Sequence, residues 1–214
     1  ADTILKLCKL NIVDLLILGA LERENIFKFY LGSLARTISR KAKCSVLLLT
    51  HPSVSPSKLK KIVVNGVDSY KTIHSMGTAV YVAKTFGVKE VVVVKEVEDP
   101  VLTMTMADSS TAPEALKMKR EISNEEESRL MDMIKKCNAH LSAGQSSSVN
   151  IEIKSAKGKP GYAISKFARD RKADLLVINS PDTHLTLLDR IFTHDIEFIL
   201  ADLPCNVLIV HSRL

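Results

Sequence analysis

The strongest constraint on this chain is an internal repeat. Val13–Leu18 reads VDLLIL and leads on to Cys44 and Ser45–Leu49, with His51 after it; Ala173–Ile178 reads ADLLVI and leads on to Cys205 and Asn206–Val210, with His211 after it. Asp14 and Cys44 are 30 positions apart and Asp174 and Cys205 are 31, so two strand-like runs and their connection are copied with one insertion. Self-similarity of this kind has to be settled before any single segment is assigned. The match extends backwards. Ile4, Leu7 and Cys8 recur at helical spacing as Ile164, Phe167 and Ala168, with Pro160 at the expected helix start, where its missing N–H costs nothing. The copied unit is therefore helix, strand, loop, helix, strand.

Between the copies the pattern supplies a full set of further elements. A strand is predicted over Ile62–Asn65, then a helix over Tyr70–Phe86 capped by Asp68 or Ser69 and stopped by Gly87. Val88–Val97 is a β-branched run suited to a strand buried on both faces. Residues 99–122 lack periodicity and read as a mobile loop. Ser123 and Glu126 have capping-box spacing ahead of a helix carrying Leu130, Ile134, Cys137 and Leu141, and Val149–Ile153 supplies another strand. From residue 58 onward the order is β-α-β-α-β-α-β-α-β. Short strands alternating with helices require right-handed crossovers and a parallel sheet covered on both faces.

The expected fold is thus α/β: a doubly wound, Rossmann-like parallel five-stranded sheet plus a partial second copy. Residues 1–53 form the C-terminal third of a first unit, 54–61 a linker and 62–214 a complete unit. The first copy opens inside the repeat, so the expectation is a piece of a longer polypeptide.

Composition narrows the function classes. No apolar run approaches the roughly 20 residues a membrane helix needs. The four cysteines, Cys8, Cys44, Cys137 and Cys205, have no CxxC spacing and read as reduced core thiols, which places the chain on the cytoplasmic side. Net charge is +6. The lysines and arginines are spread over separate helix faces, and with no Trp, 4 Tyr and 6 Phe a base-stacking platform is hard to build, so nucleic acid is not an expected partner. The six histidines are scattered, and His51 and His211 fall at equivalent strand exits, as shared packing after duplication would leave them. No HExxH, CxxC, Walker loop or GxSxG is present. No nucleophile has an identifiable base and orienter, so no catalytic residue, no metal site and no enzyme activity are predicted.

The segments GKPGYAISKFARDRKADLLVINS and LPCNVLIV are similar to the motifs of the universal stress protein family: Gly-x-Pro, helix, Ala-Asp-Leu strand, and a closing Pro-Cys-x-Val-Leu strand. The resemblance covers 58–212 as one unit and 1–51 as the last third of another. Nucleotide-binding members carry Gly-x2-Gly-x9-Gly-[Ser/Thr] between the fourth strand and the last helix. Glycines admit phosphate to backbone amides, and the last pair opens a helix whose N-terminus favours an anion. In the first copy Gly19, Gly32 and Ser33 match, and Glu22 stands where the middle glycine should be. In the second copy Asn179, Asp182 and Thr193-His194 take all three places. The family's aspartate at the end of the first strand falls on Val67, with Asp68 one residue late.

Those departures imply a scaffold used for contacts, with no cofactor, and with ATP or AMP at Gly19, Gly32 and Ser33 as the alternative. The leading expectation is a non-enzymatic cytosolic regulatory or assembly domain of a larger protein. The resemblance further implies a membrane transporter of cations or amino acids as the larger protein, because cytosolic domains of some prokaryotic transporters look like paired units of this kind. The alternative is a free-standing ATP- or AMP-binding universal stress protein. Expected partners are the two units for each other, through Ser45–Thr50 and Asn206–His211, a second chain in a homodimer, and the membrane-embedded part of the same polypeptide.

Overall fold

The structure, a computed structural model, describes residues 1–23, 28–50, 58–97, 112–141, 149–181 and 194–212. Nine strands and six helices are defined among them. In chain order they are α1 (Asp2–Leu10), β1 (Leu15–Gly19), β2 (Leu21–Arg23), β3 (Lys28–Tyr30), α2 (Ser33–Lys41), β4 (Ser45–Leu49), β5 (Ile62–Asn65), α3 (Thr72–Phe86), β6 (Glu90–Val97), α4 (Ala112–Leu141), β7 (Asn150–Lys157), α5 (Tyr162–Asp170), β8 (Leu175–Asn179), α6 (His194–Ala201) and β9 (Asn206–Val210).

Seven strands make one sheet in the order β1-β4-β9-β8-β5-β6-β7. The five strands expected after residue 58 are all present and run parallel to one another. The partial copy adds β1 and β4, parallel to each other, to the same sheet. Where the copies meet, β4 and β9 run antiparallel, with Val46 opposite Ile209, Leu47 opposite Leu208 and Leu48 opposite Val207. The matching residues Leu47 and Leu208 face each other, and the flanking pairs exchange about a pseudo-twofold axis near them.

Two cores flank the sheet. One packs Ile38 of α2, Ile164 and Ala168 of α5 and Ile199 and Leu200 of α6 on Val46, Leu48, Leu176, Val207 and Ile209, so it draws on both copies. The other packs Met76, Ala79, Val80 and Ala83 of α3 and Leu130 of α4 on Ile62, Val64, Val91, Val93, Leu175 and Val177. Strand residues two apart share a face, so β5 and β8 contribute alternately to both cores. Helices on both faces are what a bare β-branched strand requires.

Both copies leave their first helix in the same way. Ile12 and Lys172 occupy the same repeat position and have φ of 49° and 51°. The N–H of Val13 bonds to the carbonyl of Cys8, and that of Ala173 to the carbonyl of Ala168, each at 2.9 Å. This closes the helix as a left-handed cap does, although neither residue is the glycine that normally marks one. Gly87 does follow that rule, with φ 71° and a bond from the N–H of Val88 to Ala83 O at 2.8 Å.

Three expectations are corrected. The connection after Gly19 holds an antiparallel hairpin, β2 with β3, whose rungs are Leu21–Tyr30, Glu22–Phe29 and Arg23–Lys28. The helix that follows the expected loop begins at Ala112, so residues 112–122 are helical; residues 98–111 lie outside the described residues. Ser123 and Glu126 consequently sit inside α4 and cap nothing. They bind a lysine of the sheet, because a buried ammonium competes for their oxygens once the helix continues past them. Finally, α3 begins at Thr72, and the Ser69 hydroxyl accepts from the Lys71 N–H at 3.2 Å, within the turn before the helix.

Candidate functional site

In a doubly wound sheet ligands bind beyond the strand carboxyl ends, where the strand order reverses. Here that point lies between β5 and β8, since the chain moves from β5 outward to β7 and then returns to β8 on the other flank. The last residues of both strands are polar. Asn179 donates through Nδ2 to Thr72 Oγ1 at 3.0 Å and accepts from Ser75 Oγ at 2.5 Å, while the Thr72 hydroxyl donates to the carbonyl of Val67. Lys71 reaches across from the start of α3: its buried ammonium donates to the carbonyls of Ser180 at 3.2 Å and Pro181 at 3.4 Å. Asn179, Thr72, Ser75 and Lys71 are thus bonded to one another or to local carbonyls, whereas Asn65, the last residue of β5, is buried with no hydrogen-bond partner for its Oδ1 among the described residues.

The expected acidic position is vacated in a specific way. Val67 is exposed, and the carboxylate of Asp68 forms a forked pair with Arg129 of α4, Oδ2 to Nη2 at 2.8 Å and Oδ1 to Nε at 3.2 Å. Hydrogen bonding to Asp68 also holds the Arg129 pKa above its usual value. Gly66 keeps the end of β5 tight on β6. Its N–H bonds to Val94 O at 2.8 Å, and a Cβ there would come within 2.9 Å of Val93 Cγ1. Of the second copy's motif positions, Asp182 and Thr193 lie outside the described residues, and His194 opens α6.

The first copy is arranged differently. Gly19 ends β1, and Gly32 caps α2, whose first residue is Ser33. The rung Leu21–Tyr30 brings the chain on either side of the hairpin together, so Gly19 and Gly32 flank its base. Ser33 is exposed and makes no side-chain cap, leaving the first-turn N–H groups of α2 without a capping oxygen from Gly32 or Ser33. Glu22 falls in β2 of the hairpin, in register with Phe29. Gly19 has no left-handed backbone, and nothing lies within 4 Å of a Cβ built on it, so neither strain nor crowding demands glycine. Among the described residues β1 pairs with β4 alone, so no strand stands where β5 stands beside β8.

Two charged groups at the end of β6 were missed by sequence reasoning. Lys95 is buried, and its ammonium binds the Ser123 carbonyl, the Ser123 hydroxyl at 2.9 Å and Glu126 at 2.8 Å, tying α4 to the sheet. Glu96 faces the opposite side and accepts from the N–H groups of Ile164 at 2.8 Å and Gly161 at 3.1 Å. It occupies the N-terminus of α5, where an exogenous anion would otherwise be favoured. The alternation of Lys95 and Glu96 after a wholly apolar run is the signal that was available.

No described feature resembles a reaction centre. Burial pushes the Cys205 thiol up to about 12 and raises that of Cys137, the reverse of what a nucleophilic cysteine needs. Among the described residues no three His, Cys, Asp or Glu side chains could share a metal ion. His211 follows β9 and donates its N–H to Ser45 Oγ, whereas His51 lies outside the described residues. A cavity of about 260 Å³ is lined by residues including Leu5, Cys8, Ile12, Val13 and Cys44, which places it at the amino ends of β1 and β4, away from the reversal point. Among the described residues no helix is long and apolar enough to cross a membrane.

A seven-stranded, mostly parallel sheet with helices on both faces and an internal repeat define a tandem, doubly wound α/β module. The chain belongs to the universal stress protein family, whose model matches residues 1–50 and 63–211. Three solved structures are similar over nearly its whole length. One, a protein of unknown function from Pseudomonas aeruginosa PAO1, is 17% identical with a TM-score of 0.62 over 98% of this chain and 66% of its own. A universal stress protein from Archaeoglobus fulgidus DSM 4304 is 16% identical with a TM-score of 0.63, over 99% and 66%. A third, from Pseudomonas aeruginosa UCBPP-PA14, is 18% identical with a TM-score of 0.61, over 97% and 66%. The chain spans 66% of the length of each. No curated protein sequence matches it.

Proposed function

We propose that this chain is a non-enzymatic regulatory or assembly domain that uses a universal-stress-type sheet for contacts between protein segments. The observation that carries this reading is the reversal-point network: Lys71, Thr72, Ser75 and Asn179 satisfy one another and the local carbonyls where a ligand of this fold class would be held. Binding there would have to break those bonds and recover them with the ligand. Titration calorimetry with ATP and AMP tests it. No heat at millimolar nucleotide is the expected result, and micromolar binding would overturn the reading.

The domain acts on the cytoplasmic side as part of a longer polypeptide, a transporter of cations or amino acids. A net charge of +6, suited to the anionic cytoplasmic membrane face, supports this reading. The full gene tests it, because a transporter needs membrane-spanning runs in the same reading frame and their absence would remove this reading.

One observation favours a second reading, a free-standing ATP- or AMP-binding protein. Gly19 is a glycine without a conformational or packing reason, at the base of a hairpin beside the N-terminus of α2. If nucleotide binds, Gly19→Val should abolish the heat while Asn179→Gly leaves it unchanged.

A further inference from the structure

The repeat provides an internal control for the cavity at the amino ends of β1 and β4. Its lining includes Leu5 and Cys8 of α1, Val13 ahead of β1 and Cys44 ahead of β4, with Lys9 and Lys43 beside them. The four apolar side chains are partly or wholly buried, whereas both lysines are exposed. Each of these positions has a counterpart in the second copy, and the copies differ there first in space. Counted back from Cys44 and Cys205, Ala42 stands where the second copy has Leu203, and Lys43 where it has Pro204. Leu203 is 3% exposed and belongs to the shared core; Ala42 is buried too but offers a methyl in place of an isobutyl group. Leu5 and Cys8 replace Ser165 and Ala168, so the α1 wall is also the more apolar one.

The second difference is charge. Arg169, the counterpart of Lys9, pairs with Asp202 at 3.0 Å, and Lys166, the counterpart of Lys6, pairs with Asp170 at 3.5 Å. In the first copy Lys41 replaces Asp202 and Leu10 replaces Asp170. Both carboxylates are lost, the basic side chains are kept, and Lys41 and Lys43 add to them. Among the described residues neither Lys9 nor Lys43 has an ion-pair partner. The first copy therefore opens an apolar chamber and withdraws the anions from its rim, at the same place.

We propose that this cavity binds a medium-chain aliphatic carboxylate, its chain among Leu5, Cys8, Val13 and Cys44 and its carboxylate at Lys9 and Lys43. A mostly apolar lining with a few polar groups to fix orientation is the general form of a small-molecule site. Here the orienting groups are all cations, which selects an anion, and the apolar wall selects one with a tail. At roughly 30 Å³ per carbon, the share of one water in the liquid, about 260 Å³ holds about eight carbons. The site lies at the opposite end of the strands from the reversal point. Nucleotide titration thus bears on the proposed function alone, and carboxylate titration on this cavity alone.

Titration calorimetry of the 214-residue chain with butanoate, hexanoate, octanoate and dodecanoate, each kept below its micellar concentration, tests this. Each added CH₂ should tighten binding about fourfold as far as octanoate, with little gain beyond it. Octylammonium should bind about tenfold more weakly than octanoate. Replacing both lysines, Lys9→Gln with Lys43→Gln, should weaken octanoate about tenfold while the denaturant midpoint stays near the parent's, since both side chains are exposed. Cys8→Leu, which fills the chamber, should weaken octanoate as much. If that variant does not fold, alkylation of the parent chain by iodoacetamide replaces it, and octanoate should slow the reaction of Cys8 about fivefold without changing that of the buried Cys137. A gain that continues from octanoate to dodecanoate, or equal binding of octanoate and octylammonium, overturns the proposal, because the chains then adsorb to exposed leucines such as Leu7 and Leu10. So does the lack of saturable octanoate binding at millimolar concentration, including the case in which the chain binds only phosphatidylglycerol vesicles, since the basic face then meets a membrane surface.

Discussion

The side-chain oxygen of Asn206 accepts the backbone N–H of Thr50 at 2.9 Å, and the repeat-related pair does the same: Ser45 Oγ accepts the N–H of His211 at 3.2 Å. Each closing strand thus uses its first side chain to hold the residue just past the end of the other. The two bonds bracket the antiparallel β4–β9 ladder, and Asn206 also ties back to Asp174 O at 3.1 Å. Thr50 is buried, so losing its acceptor leaves a desolvated N–H. Asn206→Ala should cost about 1–3 kcal/mol and Ser45→Ala about 1 kcal/mol in urea denaturation. The sites stand at opposite ends of the ladder, so the double variant should be additive within about 0.5 kcal/mol. Strong coupling would show that the bracket acts as one unit.

Glu96 is the built-in anion of α5. Glu96→Ala should lower stability by about 1–3 kcal/mol, since two N–H groups of the first turn lose a charged acceptor. Sulfate should recover part of the loss in this variant more than in the parent, because the vacated N-terminus then binds an anion. Thermal melts with sulfate against chloride at matched ionic strength measure both effects. Equal responses of variant and parent would refute the capping role.

Gly66 meets Val93 and Val94 too closely for any side chain. Gly66→Ala should destabilise by about 1–3 kcal/mol as β5 or β6 shifts to admit the methyl. Gly19→Ala, with open space around it, should stay within about 1 kcal/mol of the parent. The contrast between the two, read from denaturant midpoints, is the check. Similar losses at both positions would contradict the packing described.

Burial raises the Cys205 thiol from 9.0 to about 12, so the folded state keeps a proton there that the unfolded chain releases near pH 9. Its contribution is complete below pH 9 and is lost as pH rises toward 12, with a slope of at most about 1.4 kcal/mol per pH unit. Cys205→Ala should therefore show a shallower loss of stability between pH 9 and 11 than the parent. Native Cys205 should also resist iodoacetamide at pH 8 and react once urea exposes it. Fast alkylation of the native thiol would exclude the buried setting.

The sheet was legible because its strands are written plainly. Ile62–Asn65, Val91–Val94 and the repeated Asp-Leu-Leu runs are β-branched or continuously apolar, and the duplication at Cys44 and Cys205 fixes which strands correspond. The hairpin at Leu21–Tyr30 was hidden because GALERENIFKFYLGS carries no Asn-Gly or Asp-Gly turn signal. Ser123 and Glu126 misled for a different reason: spacing alone cannot tell a cap from two acceptors for a distant lysine. The same limit applied to Lys71 and Glu96, whose partners are more than 60 residues away. Of the candidate site, Gly19, Gly32 and Ser33 could be found by motif, whereas the closing of the other crevice depends on side chains that only the fold assembles.

Because the antiparallel seam runs through the middle of one continuous sheet, the two copies cannot turn against each other without parting main-chain hydrogen bonds. Parting the copies would uncover Val207 and Ile209, which share a core with Val46, Leu48 and Ile38. The two copies therefore share one continuous sheet, and a load applied at one rim reaches the other through main-chain hydrogen bonds.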